Sequence, residues 1–241
     1  MRFISKLEIK NGILVKGRQL EGNRKIGDPI MFAEKYFKNG VDEIFFFDIV
    51  ASLYDSNILD DIIKKVCSKI FIPFAVGGGI RNLDDCKKLF DLGADKIHLN
   101  SILYKDIKLV EKICEIYGSQ AVCVEVQIKK IDNEYSCFYD RGREFSGIKL
   151  IDRLNVLRKL NWGEIVITDI DKDGMNSGVN FEIIKIIRDN LENRQILYSG
   201  GFNPDIDDKI KLKHYLDGIL VASSLHQDKT IIKNFSQRLE E

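Results

Sequence analysis

The sequence predicts a single-domain α/β protein, a (β/α)8 TIM barrel built from two fused half-barrels. Short apolar runs alternate with amphipathic ones along all 241 residues, the pattern of parallel strands separated by helices. Eight of the runs are strand candidates, the number that closes a parallel barrel. Four landmarks then recur at one spacing of about 120 residues, a sign of internal duplication. They are Glu8 with Gln127, Glu43 with Glu164, Gly79 with Gly201, and the pair Asp95/Ser101 with Asp217/Ser223. The reading is one barrel over 1–241, with halves of about 1–118 and 119–241. A doubly wound open sheet would need an early G-x-G-x-x-G phosphate fingerprint, which is missing.

The elements follow in order. "FISKLEI" opens as a strand, and the polar, basic stretch from Gly12 to Pro29 reads as a loop that closes over a ligand through Lys16. "DPIMFAEKYFKNG" is a helix with Asp28 as N-cap and Gly40 past its end. "EIFFFDI" is the second strand, followed by a helix in "NILDDIIKKVCSK" capped by Asn57. "IPFAVGG" leads into a helix between Asn82 and Gly93. "KIHLN" leads into one between Asp106 and Gly118. "AVCVEVQI", "EIVITDI", "QILYSGG" and "GILVAS" complete the eight. In "VCVEVQIKK", Glu125 and Gln127 share a parity and therefore a face. Two lysines stand where this strand would leave the sheet.

Lys+Arg and Asp+Glu balance at 37 each, so overall charge argues for neither nucleic acid nor a membrane. No apolar run approaches the roughly 20 residues of a membrane span, and Lys6 and Glu8 interrupt any signal-peptide core. The five cysteines are scattered without C-x-x-C, which reads as reduced thiols in a cytoplasmic protein. Three histidines offer no metal spacing, and G-x-S-x-G is absent.

Barrel active sites lie at the C-terminal ends of the strands. Gly77-Gly78-Gly79 and Gly200-Gly201 end two strands there, and each is followed one β/α unit later by a small polar pair, Asn100-Ser101 or Ser223-Ser224. Bare backbone N–H groups and small hydroxyls suit phosphate, so two such ends imply an elongated ligand with a phosphate at each end. Glu8, Asp48, Asp169 and Asp173 bring acids to the same rim. Glu8 and Gln127 should face each other across the mouth, where paired carboxylates would serve acid–base chemistry. Here only one of the pair is an acid.

The segments "LEIKNGILVKG", "GDP", "DEIFFFDI", "IPFAVGGGIR", "GADKIHLNS", "GSQAVCVEVQ", "GEIVITDIDKDG", "YSGGF" and "VASSLH" together resemble the cyclase subunit of imidazole glycerol phosphate synthase, collinearly from Arg2 to the C-terminus. The resemblance implies a heterodimer with a glutaminase subunit, whose ammonia crosses the barrel from its N-terminal face. At the other face it would attack a bis-phosphorylated ribotide, giving imidazole glycerol phosphate and aminoimidazole carboxamide ribotide, with no metal or cofactor. Carried over by residue, the resemblance gives phosphate cradles at Gly79, Asn100 and Ser101 and at Gly174, Gly201, Ala222 and Ser223. It gives the loop lysine as Lys16, the second-strand acid as Asp48, and Thr168 and Asp173 after the sixth strand. A ring of charges gating the barrel floor falls on Arg2, Glu43, Lys96 and Glu164, beside an interface acid at Asp95. As residues alone, these charges also read as a salt-bridge ring closing the floor.

Departures fall on the chemistry. The family's two catalytic aspartates occupy the positions of Glu8 and Gln127. One longer acid shifts its carboxylate by about 1 Å or more, and an amide cannot act as a general acid or base. "IVASLY", "QLEGNRKIGDP" and "GREFSG" resemble a diverged branch found beside glycan genes, whose subunits hand ammonia to a sugar amidotransferase. Three functions follow: an ammonia-channelling subunit serving another acceptor, an authentic histidine-pathway cyclase using Glu8, or a phosphate-ligand sensor regulating the glutaminase. Glu125 should point into the barrel and find a hydrogen-bond partner, because an unpaired buried charge is costly.

Overall fold

A computed structural model of the chain describes residues 1–50 and 58–227. The barrel strands are β1 (Arg2–Lys10), β4 (Glu43–Asp48), β5 (Phe74–Gly77), β6 (Lys96–Leu99), β7 (Val122–Ile131), β10 (Glu164–Asp169), β11 (Gln195–Ser199) and β12 (Gly218–Val221). Each pairs in parallel with the next. The circle closes where β7 meets β10 and where β12 meets β1. Helices α1 (Pro29–Lys38), α2 (Ile58–Cys67), α3 (Leu83–Asp91), α4 (Ile102–Lys105), α5 (Ile107–Tyr117), α6 (Leu150–Leu157), α7 (Phe181–Asn190), α8 (Lys209–Lys213) and α9 (Ser223–Gln227) lie between them. The eight-stranded parallel barrel expected from the sequence is the fold observed.

The expected caps hold where they are described. Asp28 accepts the N–H groups of Ile30 and Met31 at 2.7 and 3.1 Å, with Pro29 at the first helical position. Asn82 and Asp106 cap α3 and α5. Asn57, and the "ASLY" half of one branch motif, lie outside the described residues.

Two stretches differ from the expectation. Gly12 to Pro29 is a β-hairpin, β2 (Ile13–Arg18) with β3 (Glu21–Gly27), paired antiparallel to the end of β1. The fifth barrel strand does not leave the sheet at Lys129. It runs on through Lys129 and Lys130 to pair with β8 (Glu134–Tyr139), and β9 (Glu144–Lys149) pairs with β8. Both hairpins rise from the C-terminal ends of their barrel strands, the first and the fifth, and so stand over the mouth.

The alternation of each strand sorts residues into two cores. The outward set packs under the helices, with Phe3, Leu7, Ile44, Phe46, Val124 and Ile165 all buried. The inward set fills the barrel in layers contributed by alternate strands. Register and parity place Arg2, Glu43, Lys96 and Glu164 at the floor. Above them come Ile4, Ala75, Cys123 and Leu197, then Phe45, His98, Val166 and Leu220. The next layers are Lys6, Gly77, Glu125 and Ser199, and then Phe47, Asn100, Thr168 and Ala222. Continuing the alternation past the strand ends puts Glu8, Gly79, Gln127 and Gly201 in the top layer. The lower interior is therefore apolar, at about 1.5–3 kcal/mol for each large buried side chain, and the upper interior is polar.

The Gly-rich end of β5 shows how tightly the mouth is built. Gly78 has φ +108, and a Cβ there would lie 2.2 Å from the Asp48 carbonyl oxygen. Gly78→Ala is expected to cost roughly 2–3 kcal/mol. Gly22→Ala, where a Cβ meets nothing within 4 Å, should cost only the positive-φ strain of about 1 kcal/mol. Denaturant midpoints of the two variants measure the difference, and equal midpoints would mean the close approach to Asp48 is relaxed by the backbone.

Candidate active site

The mouth of the barrel holds a cavity of ≈ 430 Å³ and, on the opposite side, a hollow of only ≈ 20 Å³. Gly79, Asn100 and Ser101 line the large one, together with Arg81, Lys105 and Arg141. Gly174, Gly201, Ala222 and Ser223 line the small one. The two sets carried over as phosphate cradles are thus separate places, and the first has more room and four cations, Lys6 included. Asn100 is already engaged: its Nδ2 donates to the Glu125 carbonyl at 3.1 Å, and its Oδ1 accepts from the Asp140 N–H at 3.2 Å.

Between the hollows stands one ion cluster. Lys16, on β2, points inward from the hairpin. Its Nζ lies 2.9 Å from Glu8 Oε2 and 3.0 and 2.9 Å from the two Asp173 oxygens. Glu8 Oε1 is 3.6 Å from Lys6 Nζ. Burial opposes ionisation of Glu8, but Lys16, Lys6 and Arg141 outweigh it and hold the carboxyl well below the usual range. Burial likewise works against the Lys16 ammonium, but Asp173 and Glu8 keep its pKa raised. The backbone N–H of Leu20 adds a bond to Asp173 Oδ2 at 3.2 Å, and that of Gln19 donates to the Asp173 carbonyl at 2.8 Å. The first hairpin is thereby pinned over the mouth. Arg141, from the second hairpin, donates to the Leu20 carbonyl at 3.0 Å and ties the two hairpins together.

Gln127 and Glu125 form a second cluster. Gln127 Nε2 donates to Glu125 Oε2 at 2.9 Å, and Gln127 Oε1 accepts from the Gly142 N–H at 2.7 Å. Thr168 Oγ1 donates to Glu125 Oε1 at 2.5 Å. Glu125 is only 3 % exposed, so the expectation that it points inward and finds partners holds. Glu8 and Gln127 line the same cavity, but neither is free: one is clamped by lysines and the other spends both ends of its amide.

Other expected residues fall in varied places. Asp48 lines the large cavity and accepts the Val50 N–H at 2.9 Å. Asp169 has the opposite parity to Thr168 and turns away from the mouth; it accepts the Tyr198 hydroxyl at 3.3 Å, and burial raises its pKa. On the floor, Arg2 bridges Glu43 and Glu164 at 2.5 and 2.7 Å, and Lys96 bridges the same two acids at 2.8 and 3.0 Å. The ring is closed. Asp95 accepts the Phe74 N–H at 2.9 Å, and Asp217 accepts the Ile196 N–H at 2.8 Å, so each ties the start of a strand. Among the described residues no group of His, Cys, Asp or Glu could hold a metal ion, and no helix is long and apolar enough to cross a membrane. All five cysteines are unpaired.

Lys6 and His98 had not been singled out, although both line the large cavity. Lys6 sits 3.4 Å from Ser199 Oγ and 5.1 Å from the Phe47 ring centre. Burial, reinforced by Lys6 and opposed by Glu125, lowers the His98 pKa to about 4. The signal was parity: Lys6 is two residues before Glu8, and His98 two before Asn100.

Replacing Lys16 by Met leaves Glu8 and Asp173 buried without their shared cation, at an expected cost of about 3–5 kcal/mol. A carboxyl whose folded pKa is depressed contributes stability above its unfolded value, here 4.5, and loses it as pH falls. The deficit of Lys16→Met should therefore be full at neutral pH and shrink below about pH 4.5. Unfolding curves at both pH values check this, and an unchanged deficit would exclude the ion pair as its cause.

Residues 2–230 match the family described as histidine biosynthesis protein. Among curated relatives, the imidazole glycerol phosphate synthase subunit HisF of Natranaerobius thermophilus is 34% identical over 242 residues, covering 100% of this chain and 96% of that protein. HisF of Legionella pneumophila is 37% identical over 83% of this chain and 95% of its own length. HisF of Sulfolobus acidocaldarius is 37% identical over 93% and 90%. A likeness of this extent, on a closed barrel carrying both Gly-rich strand ends and the floor ring, makes the chain a member of the histidine biosynthesis protein family, of the type of the HisF cyclase subunits of imidazole glycerol phosphate synthase.

Proposed function

We propose that this chain is the ammonia-receiving barrel of a glutamine amidotransferase in which the cyclisation carried out by its relatives is lost or strongly reduced. Ammonia from a glutaminase partner enters at the ring of Arg2, Glu43, Lys96 and Glu164. A phosphorylated ligand sits at the mouth, with Gly79, Asn100 and Ser101 at one end and Gly174, Gly201, Ala222 and Ser223 at the other. The ammonia goes to an acceptor other than the ribotide, such as the substrate of a sugar amidotransferase in glycan biosynthesis. The observation that supports this reading is the state of the two acid–base positions. Gln127 is an amide bonded at both ends, and Glu8 is held ionised by lysines. Neither is poised to take and return a proton, while the floor ring is complete.

A second reading is favoured by the full-length likeness to HisF subunits. In it the chain is an authentic cyclase of histidine biosynthesis, making imidazole glycerol phosphate and aminoimidazole carboxamide ribotide with Glu8, Asp48, Thr168 and Asp173 at the reacting atoms.

One preparation separates the two readings. The chain is co-purified with a glutaminase subunit and assayed for glutamine hydrolysis and for consumption of the ribotide with ammonium salts. The first reading expects a stable complex that hydrolyses glutamine. Its ribotide turnover should be about 10²-fold or more below that of the Glu8→Asp/Gln127→Asp variant, the usual worth of a general acid–base group. Brisk wild-type turnover of the ribotide would sink it and establish the second.

A further inference from the structure

Two buried side chains, His98 and Glu125, face each other inside the barrel. His98 is 4 % exposed, and its Nε2 has no hydrogen-bond partner among the described residues. The opposite side of the ring packs over Gly77, where a Cβ would lie 2.9 Å from Nδ1. With Nδ1 carrying the proton, Nε2 presents a lone pair. It lies 3.8 Å from Glu125 Oε2, too far for a direct hydrogen bond. That carboxylate already accepts one bond on each oxygen, from Thr168 and Gln127, and retains further lone pairs. Phe47 packs edge-on against the imidazole at 4.4 Å between ring centres, and Phe45 at 6.0 Å, so the ring is held in this orientation. Both acceptors open into the large cavity.

A lone pair and a carboxylate at this separation are jointly satisfied by one small molecule that donates to both. Its surroundings narrow the choice. Below lies the apolar layer of Ile4, Ala75, Cys123 and Leu197, and beneath it the floor ring; level with His98 stand the apolar Phe45, Val166 and Leu220. A neutral nitrogen hydride can cross such a layer. The first polar groups met above it are those of His98, Lys6, Glu125 and Ser199. Lys6 carries its own donors and is held by Ser199 and Glu8, which leaves His98 and Glu125 as the pair with acceptor capacity.

We infer that His98 Nε2 and Glu125 Oε2 form an ammonia-binding station inside the barrel, holding one ammonia or ammonium by two N–H bonds between the floor and the mouth. The station rests on the reading that ammonia crosses this barrel. It adds a halting point, next to Gln127 and Thr168, from which the molecule is delivered upward. Gln127 then has a task that an aspartate would perform poorly: its amide steadies Glu125 without adding another charge.

The test uses the chain alone, so its outcome is independent of whether a glutaminase partner is found. The ¹⁵N resonance of His98 Nε2 is followed while ammonium chloride is titrated against sodium and potassium chloride at matched ionic strength. The station predicts a neutral, unprotonated Nε2 that moves upfield and saturates with ammonium only. Glu125→Gln should abolish the response. An Nε2 already protonated in the starting spectrum, no shift, or an equal shift with potassium overturns the assignment and leaves a site for water or for any monovalent cation. The salt comparison on the wild-type chain decides the matter even if the variant does not fold. A station that responds to ammonium while no glutaminase binds would remove the functional reading and keep the site.

Discussion

A carboxylate in the middle of a barrel has to be satisfied by what surrounds it, and Glu125 sets that demand here. An ionised carboxylate taken out of water is costly unless hydrogen-bonded. Three side chains are arranged around it: Thr168 on one oxygen, Gln127 on the other, and His98 beside the second. Each comes from a strand next to β7 or from β7 itself, and each therefore has its position fixed by the parallel register. The amide at the mouth fits this constraint. A glutamate of the same shape at position 127 would lie within hydrogen-bond distance of Glu125, and two such acids cannot both ionise freely. Glutamine removes the repulsion and supplies the missing donor. Glu125 and Gln127 act as one hydrogen-bonded unit.

The interior is consequently divided by polarity along its axis. At the floor, two cations and two carboxylates alternate, so every charge touches two of the opposite sign. Burial pushes the Glu43 carboxyl up, against Lys96 and Arg2. The middle is apolar. The upper part holds Lys6, Glu8, Lys16, Glu125 and Asp173, all buried. Lys16 matters most there because it comes from outside the barrel. By binding Glu8 on one side and Asp173 on the other, it stitches the hairpin to the rim and separates the large cavity from the small hollow.

Strand order and barrel closure were legible because they rest on period-2 runs and on a repeat within one chain. The hairpins were less so, for different reasons. The Asn11-Gly12 and Asp132-Asn133 dipeptides, all at positive φ, are recognisable turn signals. Gln19-Leu20 adopts the same kind of backbone with neither Gly nor Asn, and is held there by the bonds of Asp173 to both residues. No local pattern announces a turn fixed by a residue that distant. The site was legible to the same degree. Strand-end residues such as Glu8, Gly79 and Gln127 could be placed from parity alone. The pairing of Thr168 with Glu125, or of Lys6 with Ser199, depends on strands brought together by closure, and His98 drew no notice while its strand was read without its neighbours.

These distinctions decide which residues carry functional information. The floor ring closes the barrel base by ion pairing whatever the chemistry above it, so its completeness is compatible with any subunit that uses this barrel. The Gly-rich strand ends are similarly general, since bare backbone accepts phosphate from many ligands. Discrimination lies in the layer that is chemically committed. There the top layer holds an ion-paired glutamate and a doubly bonded amide, and the layers beneath hold a lysine, a histidine and a glutamate. Their burial carries a desolvation cost that an apolar replacement would avoid, and the cost is met only in part, because His98 Nε2 has no hydrogen-bond partner among the described residues. An incompletely satisfied polar layer in the barrel interior is the arrangement of a site that something else completes.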